Sequence, residues 1–359
     1  MARLKLAMIN SIHPMAGAGD GVTEYAYRMQ LNLSKNAQID QVYAIEEAKK
    51  NDVLGLVRVN ALLSRRVSSA AKKDYDIFHI MNQEVGFTAK DVKRVSHLNK
   101  VITTIHDIAR LEGGLHLGTA QKIYNHMVGH SVATAVEKSD YLIFNSSQTM
   151  KKVKKRFGLS NGKVINIGID SRFSVKPIRK THKNFSVGYL GSFAYHKNVS
   201  MLLESATGLK EDRIQFLIYG DGAEKKKLRE FAEIKHIKKV NFMGFAPESK
   251  KIDIYDSFDV FAFPSKYEGF GLPILEAQSR GLPVIIYKHG EIPEEVARYC
   301  LRAEDSAHMA QIIKRIEKEG YDKGRRLKAM RYARSFTWNR CALETLKIYE
   351  KTSDKKIIS

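Results

Sequence analysis

Apolar residues in this chain come in short runs rich in β-branched and aromatic side chains, and between the runs they recur at helical spacing. LKLAMIN (4–10) is the first run, followed by a Gly-rich turn and then Val22, Ala26, Met29 and Leu33 spaced along one helix face. QVYAI (41–45), DIFHIM (76–81), VITTIH (101–106) and YLIFNS (141–146) are further strand candidates, separated by helix formers. This βαβ rhythm predicts a parallel sheet covered on both faces.

The rhythm then restarts. KVINIGI (163–169) leads into DSRFSVKPIRKTHKN (170–184), a polar, basic stretch that reads as a linker. FSVGYLG (185–191), IQFLIYG (214–220), VNFMGF (240–245), VFAFP (260–264) and PVIIY (283–287) follow, again alternating with helical stretches. Two doubly wound α/β domains in tandem are expected, with ligands beyond the carboxyl ends of the strands and a cleft between facing domains. Trp338, Cys341, Leu343, Leu346 and Tyr349 predict a terminal amphipathic helix able to pack on either domain.

Length and composition agree with two domains: 359 residues, 43% of them hydrophobic, are enough for two ordinary cores. The formal net charge of +21 points to anionic partners, whether nucleotides, nucleic acid or an acidic membrane face. Cys300 and Cys341 lack metal-binding spacing and read as core thiols in a reducing cytoplasm. The N-terminus lacks the features of a signal peptide, and no apolar run approaches the ~20 residues of a spanning helix. KRVSHLNK (93–100), KKVKKRFG (151–158), KKKLRE (225–230) and KGRRLKAMRYAR (323–334) read mostly as solvated helix faces.

The stretch with the most chemistry is FAFPSKYEGFGLPILEAQSRGLPVIIY (261–287). A strand ends near Ser265, and a loop with Gly269 and Gly271 follows. Pro273 opens a helix, Gly281 stops it, and PVIIY is the next strand. Free backbone N–H groups at such a helix N-terminus attract anions. Glu268 precedes those donors and Glu276 lies about one turn into the helix. One carboxylate can face a reacting sugar while the other accepts hydrogen bonds from sugar hydroxyls. An ordinary βα turn with two solvated glutamates has the same spacing.

EGFGLPILE resembles the signature of retaining glycosyltransferase family 4, within glycosyl transferases group 1. NIGID (166–170), VGYLGSFAYHKN (187–198), IYGDG (218–222), NFMGF (241–245), GEIPE (290–294) and FTW (336–338) resemble further family segments in family order, over roughly residues 160 to 350. The resemblance implies the GT-B fold, two Rossmann-like domains facing across a cleft. It divides the chain into an acceptor-binding domain, 1–168 with a crossover helix 338–359, and a donor-binding domain, 169–337. It places Glu276 on the donor ribose and Glu268 near the transferred sugar. Backbone groups of Gly269, Phe270, Gly271 and Leu272 would lie at sugar hydroxyls and phosphate, with Gly191, Ser192 and Gly220 on neighbouring strand ends at the donor. Lys197 would neutralise the diphosphate. Family members usually carry an Arg about five positions before that lysine, near Ser192 here, so the diphosphate is held either by Lys197 and backbone amides alone or with another base, for which Arg172, His196 and Lys266 are candidates.

In the first domain, MAGAGDGVTEY (15–25) sets Gly17, Gly19 and Gly21 between strand and helix. Gly19 and Gly21 would approach the diphosphate or the acceptor, or form a flexible turn. TIHD (104–107) resembles the family's His-Asp, which places His106 at the donor sugar. FNSSQT (144–149) resembles a Ser-bearing strand end of the family. The expectation is a retaining transfer of a hexose, of mannose or glucose type, from a UDP- or GDP-sugar to a glycan or lipid-linked acceptor. Glu268, His106 and Lys197 would carry it, with no cofactor and no strictly required metal. The expected location is cytoplasmic, with peripheral contact at an anionic membrane as a hypothesis and no nucleic-acid partner. The alternative is a non-catalytic or nucleic-acid-binding basic α/β protein, which would interleave aromatics with the basic runs.

Overall fold

The computed structural model describes residues 3–12, 21–45, 53–108, 111, 119–158, 161–175, 184–209 and 213–354. The chain forms two compact units, Met1–Gly168 with Trp338–Ser359, and Ile169–Thr337.

Unit one runs β1 (Leu4–Ile12), α1 (Gly21–Leu33), β2 (Ala37–Ile45), α2 (Val53–Ala70), β3 (Ile77–Ile80), α3 (Thr88–Val95), β4 (Val101–Ile105), α4 (Thr119–Lys138), β5 (Tyr141–Phe144), α5 (Ser147–Phe157) and β6 (Gly162–Val164). Its sheet has the order β2-β1-β3-β4-β5-β6, with every pair parallel. β3, β4 and β5 are buried at every position. Strands buried along their whole length belong to a parallel sheet covered on both faces. The helix face predicted over 22–33 forms, and Tyr25, Ala26, Met29 and Leu33 of α1 are buried.

Unit two runs β7 (Phe185–Leu190), α6 (Val199–Thr207), β8 (Ile214–Tyr219), α7 (Lys225–Ile234), β9 (Val240–Gly244), α8 (Lys251–Asp256), β10 (Val260–Phe263), α9 (Leu272–Ser279), β11 (Val284–Tyr287), α10 (Glu294–Ala297), β12 (Leu301–Ala303), α11 (Ser306–Glu319) and α12 (Lys323–Arg334). Its sheet, also parallel throughout, has the order β12-β11-β10-β7-β8-β9. The chain leaves the central strand β7 toward β8 and β9, then returns to β10 on the other side. The gap between the ends of β7 and β10 is the switch point where doubly wound sheets bind ligands.

The last helix, α13 (Trp338–Ser353), packs within unit one against α1 and β3, burying Trp338, Cys341, Leu346 and Tyr349. Leu343, which shares the predicted apolar spacing, is 44% exposed. Both cysteines are buried and free.

Two features depart from the sequence reading. β12 was not anticipated, because three residues carry no periodicity. Of the stretch 170–184 read as a linker, 176–183 lie outside the described residues, and its start is ordered. Ser171–Ser174 form a 3₁₀ turn capped by Asp170, and Phe173 is buried. A buried arginine explains this. Arg280 pairs with Asp256 and donates from Nη1 to the carbonyls of Phe173 at 3.2 Å and Val175 at 2.5 Å. A buried guanidinium needs acceptors, and the start of the polar stretch supplies them.

Candidate active site

The switch point of unit two carries Lys197 and Glu268. The loop after β7 holds Gly191 and Ser192, then a 3₁₀ turn at Tyr195–Lys197. The loop after β10 runs from Pro264 to Gly271, and α9 begins at Leu272. Because β7 and β10 are neighbours, residues 71 positions apart meet: Lys197 Nζ donates to Glu268 Oε1 at 2.7 Å. Both side chains are mostly buried, at 16% and 10% exposure. The ammonium also lies 5.2 Å from the centroid of the Phe263 ring, whose electron-rich face favours a cation.

Backbone bonds knit three loops around this pair. Lys266 N donates to His196 O, Glu291 N to Lys266 O, and Glu268 N to Glu291 O. Asn198, in the left-handed region at φ 53°, donates from Nδ2 to Pro264 O at 3.2 Å. The neighbouring β8 loop is drawn in by Gly191 N to Tyr219 O and Phe193 N to Asp221 O. That approach requires Gly220, where a Cβ would sit 1.9 Å from Gly191 O.

At α9 the local chemistry is as read from the sequence. Gly271 has φ 98° and ψ 51°, Pro273 lies in the first turn, and Gly281 at φ 73° ends the helix. Among the described residues, the N–H groups of Gly269, Phe270, Gly271 and Leu272 have no hydrogen-bond partner. These four donors follow directly on Glu268, at the positive end of the helix dipole.

Glu276 is buried one turn into α9, at 6% exposure. Its Oε2 accepts from Tyr255 Oη at 2.7 Å, and Lys251 Nζ lies 3.8 Å from Oε1. Lys251 also bonds Glu248 at 2.7 Å. Burial, and secondarily the Glu276 carboxylate, hold the Tyr255 phenol well above its ordinary pKa, so it remains a donor. Tyr189 behaves likewise: burial and then the charge of Glu268 raise it, and it donates to Ser192 O at 2.8 Å. Neither tyrosine nor Lys251 was singled out from the sequence. Tyr255 sits in another helix, 21 positions from its partner, with no spacing to betray it.

The three candidate bases for the Ser192 position lie in different settings. His196 stacks on Tyr267 at 4.4 Å, and Lys266 Nζ sits 3.8 Å from the centroid of the Tyr195 ring. Both belong to the Lys197 loops. Arg172 instead pairs with Asp170 at 3.1 Å and lies 3.8 Å from Glu248, toward the Glu276 side.

In unit one, His106 follows β4 and is buried. Its Nε2 donates to Met81 O at 3.0 Å, and the Tyr25 ring meets it edge-on at 4.7 Å. Behind it runs a buried chain: Tyr25 Oη to Thr104 Oγ1 at 3.2 Å, Thr104 Oγ1 to His79 Nε2 at 2.8 Å, and His79 Nδ1 to Tyr349 Oη at 2.6 Å. Burial, then the nearby His106, lowers the His79 pKa from 6.5 to about 3, so it is neutral at ordinary pH. Gly21 is the first residue of α1. Gly17 and Gly19 lie outside the described residues.

Comparison with known proteins agrees with this picture. Residues 170–335 match the family Glycosyl transferases group 1. The O-antigen chain mannosyltransferase B of Escherichia coli is 31% identical over 114 residues, which is 31% of this chain and 30% of that protein's length. Among solved structures, the sucrose-phosphate synthase of Thermosynechococcus elongatus superposes with a TM-score of 0.81 at 18% identity, covering 97% of this chain and 99% of that one. Anabaena Alr3699/HepE, in complex with UDP and glucose, gives a TM-score of 0.73 at 16% identity, covering 97% and 100%. The fold of the chain is GT-B.

Proposed function

We propose that this chain, whose residues 170–335 are those of a group 1 glycosyl transferase, is a retaining hexosyltransferase that uses a UDP- or GDP-sugar. The observation that carries this is the Lys197–Glu268 pair at 2.7 Å, set at the switch point beside four N–H groups that open α9. A diphosphate is the natural occupant of such a place. The lysine offers a full charge and the helix start offers directed donors.

In this reading Lys197 turns from Glu268 to the diphosphate and stabilises the charge that grows as the glycosidic bond breaks. The leaving phosphate oxygen takes the acceptor hydroxyl's proton on the same face of the sugar, so configuration is retained. Glu268 supports charge at the sugar and need not form a bond to it. Glu276 accepts hydrogen bonds from the ribose hydroxyls. In unit one, His106 is the proposed sugar-binding group, its ring already fixed by Met81 and Tyr25. No metal is assigned a role. Mannose and glucose are the favoured sugars, in line with what the compared mannosyltransferase transfers and the glucose in the compared complex. A glycan or lipid-linked acceptor is proposed.

A thermal-shift panel of UDP- and GDP-sugars, followed by hydrolysis of each hit, tests the reading. Glu276→Ala is expected to weaken nucleotide-sugar binding about tenfold to a hundredfold, the worth of hydrogen bonds to a charged group. Unchanged affinity in titration calorimetry would remove the ribose assignment.

A further inference from the structure

We infer that Tyr255 is a positioning residue that sets how strictly this chain reads the ribose of its donor, by fixing the carboxylate of Glu276; this rests on the reading of Glu276 as the ribose-binding group. The geometry is a double clamp between α8 and α9. Tyr255 and Asp256 are consecutive on α8, and they hold Glu276 of α9 and, four positions on, Arg280, the residue that caps its C-terminus. The upper clamp is the 2.7 Å bond from Tyr255 Oη to Glu276 Oε2. The lower is the two-pronged pair of Arg280 with Asp256, at 2.8 and 2.6 Å. Residues four apart lie on one helix face, so the two clamps fix both the spacing and the rotation of α9 against α8.

Tyr255 is itself tightly enclosed. It is fully buried, and the rings of Phe173, Phe258 and Phe261 meet it edge-on at 5.8, 6.2 and 5.4 Å. Its phenol keeps its proton, because burial and the facing carboxylate both resist ionisation. The shorter of its two contacts is to Oε2 of Glu276 at 2.7 Å, against 3.5 Å to Pro273 O, so Oε2 is met by a donor from one direction.

Lys251, one turn earlier on α8, lies 3.8 Å from Oε1 and is drawn away by Glu248 at 2.7 Å. Removing the Tyr255 hydroxyl takes away the bond that holds Oε2 and lets the carboxylate turn toward a closer pair with Lys251. A carboxylate that has turned still carries its charge but presents its lone pairs off the ribose hydroxyls. Discrimination between ribose and 2′-deoxyribose should fall first, since it depends on that direction.

The test is titration calorimetry of the full chain with uridine and guanosine diphosphate, each beside its 2′-deoxy form. Tyr255→Phe keeps the ring and removes only the hydroxyl. It is expected to lower the ribose-to-deoxyribose affinity ratio about fivefold, while affinity for the deoxy form changes little. Phe173→Leu, which loosens the packing behind the ring, should lower the thermal midpoint and leave the ratio intact. Tyr255→Phe and Glu276→Ala combined should be no worse than Glu276→Ala alone. If the tyrosine variant does not fold, Glu276→Asp, which withdraws the carboxylate from the hydroxyl, carries the same expectation. A ratio that collapses in Glu276→Ala but is unchanged in Tyr255→Phe overturns the inference and leaves the ribose assignment standing. A ratio unchanged in Glu276→Ala overturns that assignment, and wild-type protein that binds neither nucleotide overturns the donor reading itself.

Discussion

Lys197 is held in its resting place by three things: the Glu268 carboxylate, the Phe263 ring and a 3₁₀ turn bonded to the next loop. Its ammonium is thus aimed at the switch point before any anion arrives. Lys197→Ala is expected to lower turnover by about 10² to 10³, the cost of losing one preorganised charge-stabilising group, with a smaller effect on KM. Steady-state kinetics on the donor identified by the panel would check this. His79 makes a second prediction at this scale. Its folded pKa of about 3 lies below the unfolded value near 6.5, so between those limits the unfolded chain binds the extra proton. Stability therefore rises with pH through that window and is lost as pH falls. His79→Asn should flatten the dependence of the thermal midpoint between pH 4 and 7, while lowering it overall through lost hydrogen bonds. Lys197 and Glu268 were legible in the sequence because they sit in recognisable turns. Tyr255 and Lys251 were not, because a side chain's partner in another helix leaves no local trace.

At the scale of elements, the α8–α9 pair is the best-determined part of the site. Arg280 is 2% exposed and serves Asp256 and two carbonyls at once. Arg280→Met would remove both prongs of the pair with Asp256 and the donor to the buried carbonyl of Phe173. The expected loss is about 3–5 kcal/mol, read by denaturant titration, with nucleotide binding weakened as α9 loosens. Strand positions were largely readable, since a parallel sheet buried on both faces demands continuous apolar runs. β12 escaped because it is three residues long, and the turn at Ser171–Ser174 because composition reports polarity and cannot show that a distant arginine needs carbonyls.

At the scale of the molecule, the described residues form two six-stranded sheets, each with its own order, and α13 belongs with the first. Among the described residues no helix is long and apolar enough to cross a membrane. The charge of +21 is a property of the entire chain, and it favours anionic surfaces. Part of the basic surface is already spent: Lys93, in one of the basic runs of unit one, pairs with Asp140 at 2.8 Å. Binding to anionic liposomes is therefore expected to be weak and screened by salt, visible in sedimentation at low ionic strength and lost at moderate ionic strength. Absence of binding at low salt would count against an acceptor presented on such a surface.

What the sequence determined by itself was whatever is written in neighbouring residues. The apolar runs specified parallel strands. Gly271, Pro273 and Gly281 specified a helix with an open N-terminus, and the order of motifs identified the family of the second half. These follow from backbone preferences and periodicity, which act over a few positions. What only the tertiary structure decided was which distant groups meet. Strand order placed the ends of β7 and β10 side by side, and so joined Lys197 to Glu268 across 71 positions. Packing of α8 on α9 brought Tyr255 to Glu276 and Asp256 to Arg280, and the turn at Ser171–Ser174 gave Arg280 two carbonyls more. Such meetings depend on how whole elements are ordered and rotated, and that information is spread over the entire core.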